Sequence, residues 1–310
     1  MIHDSNGSRR MEDAYPLGDS QENFKRRNSS RQDTISVAVI TTDSYMSYLL
    51  LSQVLAHPRV SCVTLVILPS TGKESLTKTA RRVYRQSGGR WLIYKAVTSL
   101  PVLAHRQLIR LGAPGIVRTP RALAHRRRIP VVLAEDCNDD RVVKIISSSE
   151  CDLLLSVNVY QRMHEPLLRT PRLSALNTHF GQLPHYRGMS PVLWAMSNGD
   201  GSIGLTVHKM VIAFDEGLVV RQGNLRLRDD ESVLSATIRG CERARGLLLE
   251  SVLHIAEDPG FGLQQIGEGS YFSLPTRAAI AQLRRRGRGL WRLRDLTLFR
   301  RSTIAGERLP

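Results

Sequence analysis

The sequence predicts an α/β fold built on a doubly wound, mostly parallel sheet, and two observations support that prediction. Short apolar runs rich in β-branched residues alternate with stretches of helical spacing, an order typical of parallel βαβ units. The chain has 310 residues with 42% hydrophobic content, which is enough for a substantial core. One large domain or two smaller ones could enclose that core.

The first half of the chain carries most of the predicted strands. They are read from runs of four to eight or so apolar residues, with helices expected between them. The expected strands are 35–42 (ISVAVITT), 60–69 (around VSCVTLVIL), 90–97 (RWLIYKAV), 129–135 (IPVVLAE) and 152–159 (DLLLSVNV). The expected helices are 44–57, 74–87, 102–127 and 139–149.

The second half changes character after a loop rich in glycine and proline. Ser190 is a candidate N-cap and Pro191 a candidate first helical residue, so a helix should begin there. Residues 203–227 contain two β-rich runs joined around 214–217, where Gly217 can supply a positive φ. A helix over 231–256 closes the compact part.

The two ends of the chain have a different composition from the middle. Residues 1–34 are polar, with mixed charge and no apolar period, which predicts a disordered leader. The main domain is expected over 35–260, and 261–310 is expected to be a short basic C-terminal extension.

Composition limits the classes of protein to consider. No run approaches the roughly 18 to 20 apolar residues of a membrane helix, and the N-terminus is not signal-like, which favours a cytoplasmic protein without membrane contact. The four cysteines lie far apart, with no zinc-like spacing, so we expect reduced, buried thiols and no metal.

The formal net charge of +16 has two explanations. Arginine clusters at 126–128 and 284–288 either form solvated helix faces and a flexible tail, or bind an acidic ligand such as a nucleotide, a phosphate or RNA. The segment TTDSYMS after the first strand contains no glycine, which argues against a dinucleotide cofactor.

The segment SALNTHFGQLPHYRGMSP, residues 174–191, holds the candidate catalytic groups. In a strand, Asn177 and His179 project to the same side. With Asp215 they would combine an amide donor for an oxyanion, a proton-transferring imidazole, and a carboxylate that orients the ring and keeps it charged. No serine or cysteine lies in a nucleophile-elbow context, so the set suits direct acyl transfer between nitrogens.

Each of these residues also has a structural explanation. Asn177 could cap a turn, and Asp215 beside Gly217 could be a turn residue. His208, on a strand face with Thr206, is either a supporting residue of the site or a satisfied core histidine.

The segment 175–220 resembles the folate-dependent formyltransferase family. The shared motifs are Asn-x-His, Leu-Pro, Arg-Gly, a Pro with a following Trp, Asn-Gly-Asp, Gly-x-Thr-x-His and Asp-x-Gly. The resemblance implies a Rossmann-like formyltransferase fold and formyl transfer from 10-formyltetrahydrofolate to an amine, without a metal. It also implies that the catalytic residues are Asn177, His179 and Asp215.

The resemblance further implies which residues bind the folate. They come from the segment after the strand that precedes Asn-x-His and from the loop that carries the aspartate, namely Tyr160, Gln161, Arg162, Met163, Ala213 and Phe214. Two departures from the family pattern lie near the site: the loop reads HFGQLP, and Glu216 replaces a common threonine.

The sequence does not identify which amine receives the formyl group. The residues after 257 are too few for the tRNA-binding barrel of methionyl-tRNA formyltransferases, and the glycine-rich phosphate loop expected for a purine-pathway acceptor is missing. We therefore expect an amino sugar or a specialised-metabolite amine. A formyltetrahydrofolate hydrolase and an enzyme acting on an RNA-borne amine are the alternatives, the basic tail leaves nucleic acid open, and a homodimer is an option.

Overall fold

The computed structural model describes residues 34–69, 76–111 and 118–301. The predicted disordered leader, apart from Thr34, therefore lies outside the described residues. Within those residues, none of the helices combines the length and the apolar character needed to cross a bilayer.

A seven-stranded sheet organises the molecule, with strand order β3-β2-β1-β4-β5-β7-β8. The first five strands pair in parallel and the last two are antiparallel, which confirms the doubly wound, mostly parallel prediction. The strands of this sheet are β1 (Ile35–Thr42), β2 (Val60–Leu68), β3 (Val131–Leu133), β4 (Leu153–Val157), β5 (Ser174–His179), β7 (Ser202–Lys209) and β8 (Val219–Arg226).

Two further strands and a set of helices complete the described structure. The short strands β6 (Arg187–Gly188) and β9 (Tyr271–Phe272) pair in parallel in a separate two-stranded sheet. The α-helices are α1 (Tyr45–Val54), α2 (Leu76–Ser87), α3 (Gly89–Arg110), α4 (Pro120–Arg127), α5 (Asp140–Ser148), α6 (Glu165–Leu168), α7 (Pro191–Asn198), α8 (Val233–Glu257), α9 (Arg277–Arg285) and α10 (Leu298–Arg301).

Alternation along the strands divides the core between the two faces of the sheet. On β1, Val37 and Val39 belong to the larger apolar cluster, whereas Ala38 and Ile40 belong to the smaller one. Helices α1 and α8 contribute to the larger cluster and α5 to the smaller. Because β1 is apolar on both faces, it reads as a continuous hydrophobic run in the sequence.

The predicted strand at 90–97 is wrong, because this segment is the first part of α3. Trp91, Tyr94 and Val102 are buried on one side of the helix, whereas Ile93 is 54% exposed. This is helical spacing, which the short apolar run WLIY hides. The predicted helix starting near 102 is the second part of the same helix.

The C-terminal residues pack against the sheet domain over much of their length. Helix α9 lies against α7, and the Tyr45 hydroxyl donates to the carbonyl of Leu298 at 3.0 Å. Asp295, only 2% exposed, accepts a hydrogen bond from the Ser232 hydroxyl at 2.6 Å. The division into a domain of 35–260 and an extension of 261–310 stays a prediction.

Candidate active site

Strand β5 presents Asn177 and His179 at the carboxyl edge of the parallel strands. It lies between parallel β4 and antiparallel β7, and the register places His208 of β7 directly opposite Asn177. Ligands of open α/β sheets bind outside this edge. The expected projection of both side chains toward one side therefore places them where a ligand can bind.

Asp215 reaches the same place from the connection between β7 and β8. Its backbone has φ 57°, a left-handed conformation that is uncommon for a residue with a side chain. Gly217 makes the close turn possible, because a Cβ there would lie 1.8 Å from the carbonyl oxygen of Lys209. The Oδ2 atom of Asp215 accepts a hydrogen bond from the Gly188 amide at 2.8 Å.

The three predicted catalytic residues form one connected cluster through His208. Asp215 Oδ2 lies 3.6 Å from His179 Nδ1, and Asp215 Oδ1 lies 3.4 Å from His208 Nε2. Asn177 Nδ2 lies 3.1 Å from that same His208 nitrogen. The three ionisable side chains are less than a tenth exposed, so the cluster is screened from bulk water.

Backbone carbonyls fix the tautomers of both histidines. His208 Nδ1 donates to the Lys209 carbonyl at 2.8 Å, so in the neutral ring Nε2 accepts the N–H of Asn177. The second N–H of the Asn177 amide remains available to a ligand. His179 Nε2 donates to the Tyr186 carbonyl at 2.7 Å, so in the neutral ring the proton is on Nε2. Nδ1, beside Asp215, is then the atom that can accept a proton and give it back.

Burial and charge act in opposite directions on the pKa of His179. Burial lowers the pKa below its usual 6.5 and outweighs Asp215, which raises it, while His208 lowers it further. Burial also raises the pKa of Asp215, but the neighbouring histidines, His208 before His179, and the Gly188 N–H bring it down to about 2. The resting pair is therefore a neutral imidazole beside a carboxylate, not the charged ring expected from the sequence.

The two predicted folate segments lie against each other at the mouth of this site. The guanidinium of Arg162 lies over the ring of Phe214, 4.6 Å from its centroid. Tyr160 is 48% exposed, and its hydroxyl donates to Asn158 Oδ1 at 3.0 Å. Ala213 is exposed in the same loop as Phe214.

Two other predicted folate residues have structural contacts. The amide of Gln161 accepts from the Cys137 N–H and donates to the Glu135 carbonyl. Met163 is 2% exposed and packs in the smaller apolar cluster. Any contact of Met163 with a ligand would come through its backbone.

Sequence reasoning missed two groups of residues at this edge. Val211 and Ile212 are 46% and 52% exposed and precede Phe214, forming an apolar surface on the Asp215 loop. The run VIAF could have been recognised as an apolar stretch in a loop, where such residues are free to contact a ligand.

The second missed group is a polar cluster at the ends of β1 and β4. Asn158 Nδ2 donates to the hydroxyl oxygens of Thr42 at 2.9 Å and Ser44 at 3.0 Å. The register aligns Thr41 of β1, Val157 of β4 and Thr178 of β5, and Thr42, Asn158 and His179 are the residues that follow them. These residues are distant in sequence, and their proximity depends on the order of the strands in the sheet. The sequence alone does not reveal that order.

Arg187 is committed to contacts within the protein. Its guanidinium donates to Gln265 Oε1 at 2.7 Å and lies 3.4 Å from the carboxylate of Glu216. Glu216, one of the departures from the family pattern, therefore pairs with Arg187 and is itself about half exposed.

Comparison with known proteins places the site within a family match. Residues 117–252 match a family model described as formyl transferase. A methionyl-tRNA formyltransferase of Staphylococcus epidermidis is 32% identical over 120 residues, which are 38% of this chain and 39% of that protein. The aligned part thus spans well under half of that relative.

Solved structures share the fold at low sequence identity. A phosphoribosylglycinamide formyltransferase from Anaplasma phagocytophilum aligns with TM-score 0.52 and 14% identity, over 77% of this chain and 97% of that one. A glycinamide ribonucleotide transformylase from Symbiobacterium toebii aligns with TM-score 0.50 and 15% identity, over 73% and 90%. The segment matched by the family model contains Asn177, His179 and Asp215.

Proposed function

We propose that the protein transfers a formyl group from 10-formyltetrahydrofolate to an amine of a small acceptor. The single observation that carries the proposal is the convergence of Asn177, His179 and Asp215 at one sheet edge, with Asp215 Oδ2 3.6 Å from His179 Nδ1. An amide donor, a neutral imidazole and a buried carboxylate are the groups that such a transfer requires.

The roles of the three side chains follow from their contacts. Nδ1 of the neutral His179 accepts the proton that the attacking amine must lose. Asp215 stabilises the imidazolium that forms, because it is a carboxylate at any pH well above about 2. The second N–H of Asn177 stabilises the negative charge that develops on the formyl oxygen, an effect of roughly 3 to 4 kcal/mol for such donors. 10-Formyltetrahydrofolate supplies the formyl group, and the imidazolium of His179 would return the proton to the folate nitrogen as the C–N bond breaks, so that tetrahydrofolate leaves neutral and His179 is again neutral.

The donor fits the exposed surface beside the catalytic cluster. Val211, Ile212 and Phe214 present apolar area, and the guanidinium of Arg162 lies over the Phe214 ring. A flat heteroaromatic ring binds between apolar side chains, with main-chain groups that fix its orientation. We assign the folate to this surface.

The acceptor side is lined by polar groups. Thr42, Ser44 and Asn158 form a hydroxyl and amide cluster at the carboxyl ends of β1 and β4, the point where strand order reverses. Such groups suit a hydroxylated ring, whereas a phosphate would favour a glycine-rich turn or a guanidinium. An amino sugar or a hydroxylated metabolite amine is the acceptor that this cluster supports.

The test is a transfer assay with a panel of acceptors. The purified protein is incubated with 10-formyltetrahydrofolate and amino sugars or other amines, with folate followed by absorbance and product by mass. We expect a formylated amine, with the Asp215→Asn variant slower by roughly 10²- to 10⁴-fold. Formate release without any formylated amine would instead identify a hydrolase, and no turnover of the folate at all would contradict the proposal.

An RNA-borne amine is a second candidate acceptor, favoured by the charge of two adjoining helices. Helix α2 has no acidic residue and carries Lys78, Arg81, Arg82 and Arg85 at helical spacing. Helix α9, also without acidic residues, contacts it where Arg277 donates to the Tyr84 carbonyl at 3.0 Å. A basic helix surface of this kind can follow a phosphate backbone, and the Staphylococcus relative is named for a tRNA substrate.

Salt dependence separates the two acceptors. If RNA is the acceptor, tRNA affinity should fall linearly on a log–log plot against salt, by about 0.7 to 0.9 per phosphate contact. An Arg81→Glu/Arg85→Glu double variant should weaken it, whereas Arg141→Glu, at an exposed residue of α5, should have little effect. Equal effects of both variants would exclude the α2 and α9 surface.

A further inference from the structure

Gln265 joins two loops of the site from a part of the chain beyond the family match, which ends at residue 252. Its Nε2 donates to the carbonyl oxygens of Asp215 at 2.8 Å and Gly217 at 2.9 Å. Its Oε1 accepts from Arg187 Nη2 at 2.7 Å and Nε at 3.3 Å.

These contacts use the full capacity of the glutamine amide. The amide has two N–H groups and an oxygen that accepts two hydrogen bonds. One side of it faces two carbonyls, which only accept, and the other faces a guanidinium, which only donates. The orientation of the amide is therefore determined by its partners. No other side chain of this length offers both an NH2 donor and a carbonyl acceptor.

The bonds of Gln265 close a ring around the catalytic carboxylate. Arg187 is followed by Gly188, whose N–H binds Asp215 Oδ2 at 2.8 Å. Asp215 is thus held twice, through its side chain by Gly188 of β6 and through its backbone by Gln265, to which Arg187 of β6 is bonded. A left-handed backbone at Asp215 needs such support, because an unsupported chain leaves that conformation readily.

Gln265 itself is fixed by the backbone on both sides. Before it, Leu263 and Val219 exchange two main-chain hydrogen bonds, each 2.8 Å long. After it, the Ser270 hydroxyl accepts from the Tyr186 N–H at 2.9 Å and the Ser270 carbonyl accepts from Arg187 N at 2.8 Å. The segment 263–270 therefore spans from β8 to the loop after β5.

We infer that Gln265 is a positioning residue, which holds the Asp215 loop so that the carboxylate stays beside His179 during formyl transfer. The inference rests on the proposed function for its kinetic consequence only. Gln265 touches none of the reacting groups and acts through the backbone of Asp215 and Gly217.

Two substitutions distinguish the role of the Gln265 N–H donors from that of its oxygen. Gln265→Glu keeps an oxygen for Arg187 but loses both N–H donors and places a charge against the two carbonyls. Gln265→Leu removes every hydrogen bond at similar size. Gln264→Leu, at the exposed neighbour, is the matched control.

The kinetic readout is turnover against folate binding. Both Gln265 variants should lose roughly 10- to 100-fold in kcat, while KM for 10-formyltetrahydrofolate changes by less than about threefold. Gln264→Leu should match the wild type. Folded Gln265 variants with wild-type kcat would overturn the inference.

The second readout does not depend on activity. In NMR titrations of the histidine rings, the pKa of His179 should be lower in Gln265→Leu than in the wild type, because Asp215 raises it and the variant adds no charge of its own. An unchanged His179 titration in Gln265→Leu would also overturn the inference. If the wild type transfers no formyl group, the proposed function fails, whereas the titration still decides the role of Gln265.

Discussion

The pair of His179 and Asp215 has a charge state that the surrounding protein sets. Burial lowers the pKa of His179 and the carboxylate opposes that effect. The carboxylate pKa falls to about 2 through its hydrogen bonds and the neighbouring histidines. A neutral base therefore stands next to a group that stabilises its protonated form, as proton transfer from an amine requires.

The pH dependence of the reaction should follow from this arrangement. Activity should fall as the pH drops through the His179 pKa, which lies below 6.5. In Asp215→Asn the raising influence of the carboxylate is gone, so the acid limb of the kcat/KM profile should move to lower pH. A limb at unchanged or higher pH in that variant would contradict the assignment.

Stability should respond to pH with the same sign at both residues. The folded-state pKa of Asp215 is depressed, so its contribution is present above the unfolded value of 3.8 and is lost as the pH falls toward about 2. The depressed pKa of His179 likewise favours the folded state at higher pH, and this contribution declines as the pH falls below 6.5.

At the scale of single residues, the sequence indicated which side chains form the site. It did not indicate the burial and the contacts that set their charge. The spacing of Asn177 and His179 predicted that both side chains would face one side, and the structure has them at the same edge. The neutral state of His179 could not be read from the sequence, because it depends on burial. The contact of Asp215 with the Gly188 N–H depends on two loops that meet only in the folded chain.

Short elements hold the site together, and β6 is the clearest case. Two residues, Arg187 and Gly188, pair in parallel with Tyr271 and Phe272. A two-residue strand has no periodicity to detect, so no sequence pattern could predict it. Gly188 has φ 93°, and a Cβ there would lie 2.3 Å from the Phe272 carbonyl oxygen.

Gly188→Ala should therefore disturb both the fold and the site. We expect a loss of roughly 1 to 3 kcal/mol in the free energy of unfolding, from the strained φ and the clash. Turnover should also fall, because the Gly188 N–H would move away from Asp215. Denaturant unfolding and kcat measure the two effects.

Gly201→Ala is the control for that substitution. A Cβ at Gly201 meets nothing within 4 Å, so stability should change by less than about 0.5 kcal/mol. Equal stability changes in the two variants would mean that Gly188 is not under the constraint described.

Helix α3 shows where periodicity misleads. The segment 90–97 contains an apolar run of strand length, yet Trp91 and Tyr94 are buried while Ile93 is exposed. The helical period becomes visible only over the full length of Gly89–Arg110. A longer window would have favoured a helix.

At the scale of the whole molecule, the alternation of elements predicted a parallel sheet but not the order of its strands. The order β3-β2-β1-β4-β5 brings the carboxyl ends of β1, β4 and β5 to one edge, which carries both the polar cluster of Thr42, Ser44 and Asn158 and the residue His179. Strand order depends on pairings between distant segments, which a single sequence does not reveal. The connection of Gln265 to the Asp215 loop was hidden for the same reason.

Formyl transfer at the carboxyl edge of β5 is the central claim, and a single-turnover measurement with excess enzyme tests it most directly. Formyl-labelled 10-formyltetrahydrofolate and an accepted amine are mixed with wild type or His179→Gln. The account predicts transfer slower by roughly 10²- to 10⁴-fold in the variant, with folate binding within about threefold of wild type. Transfer at the wild-type rate by folded His179→Gln would contradict it.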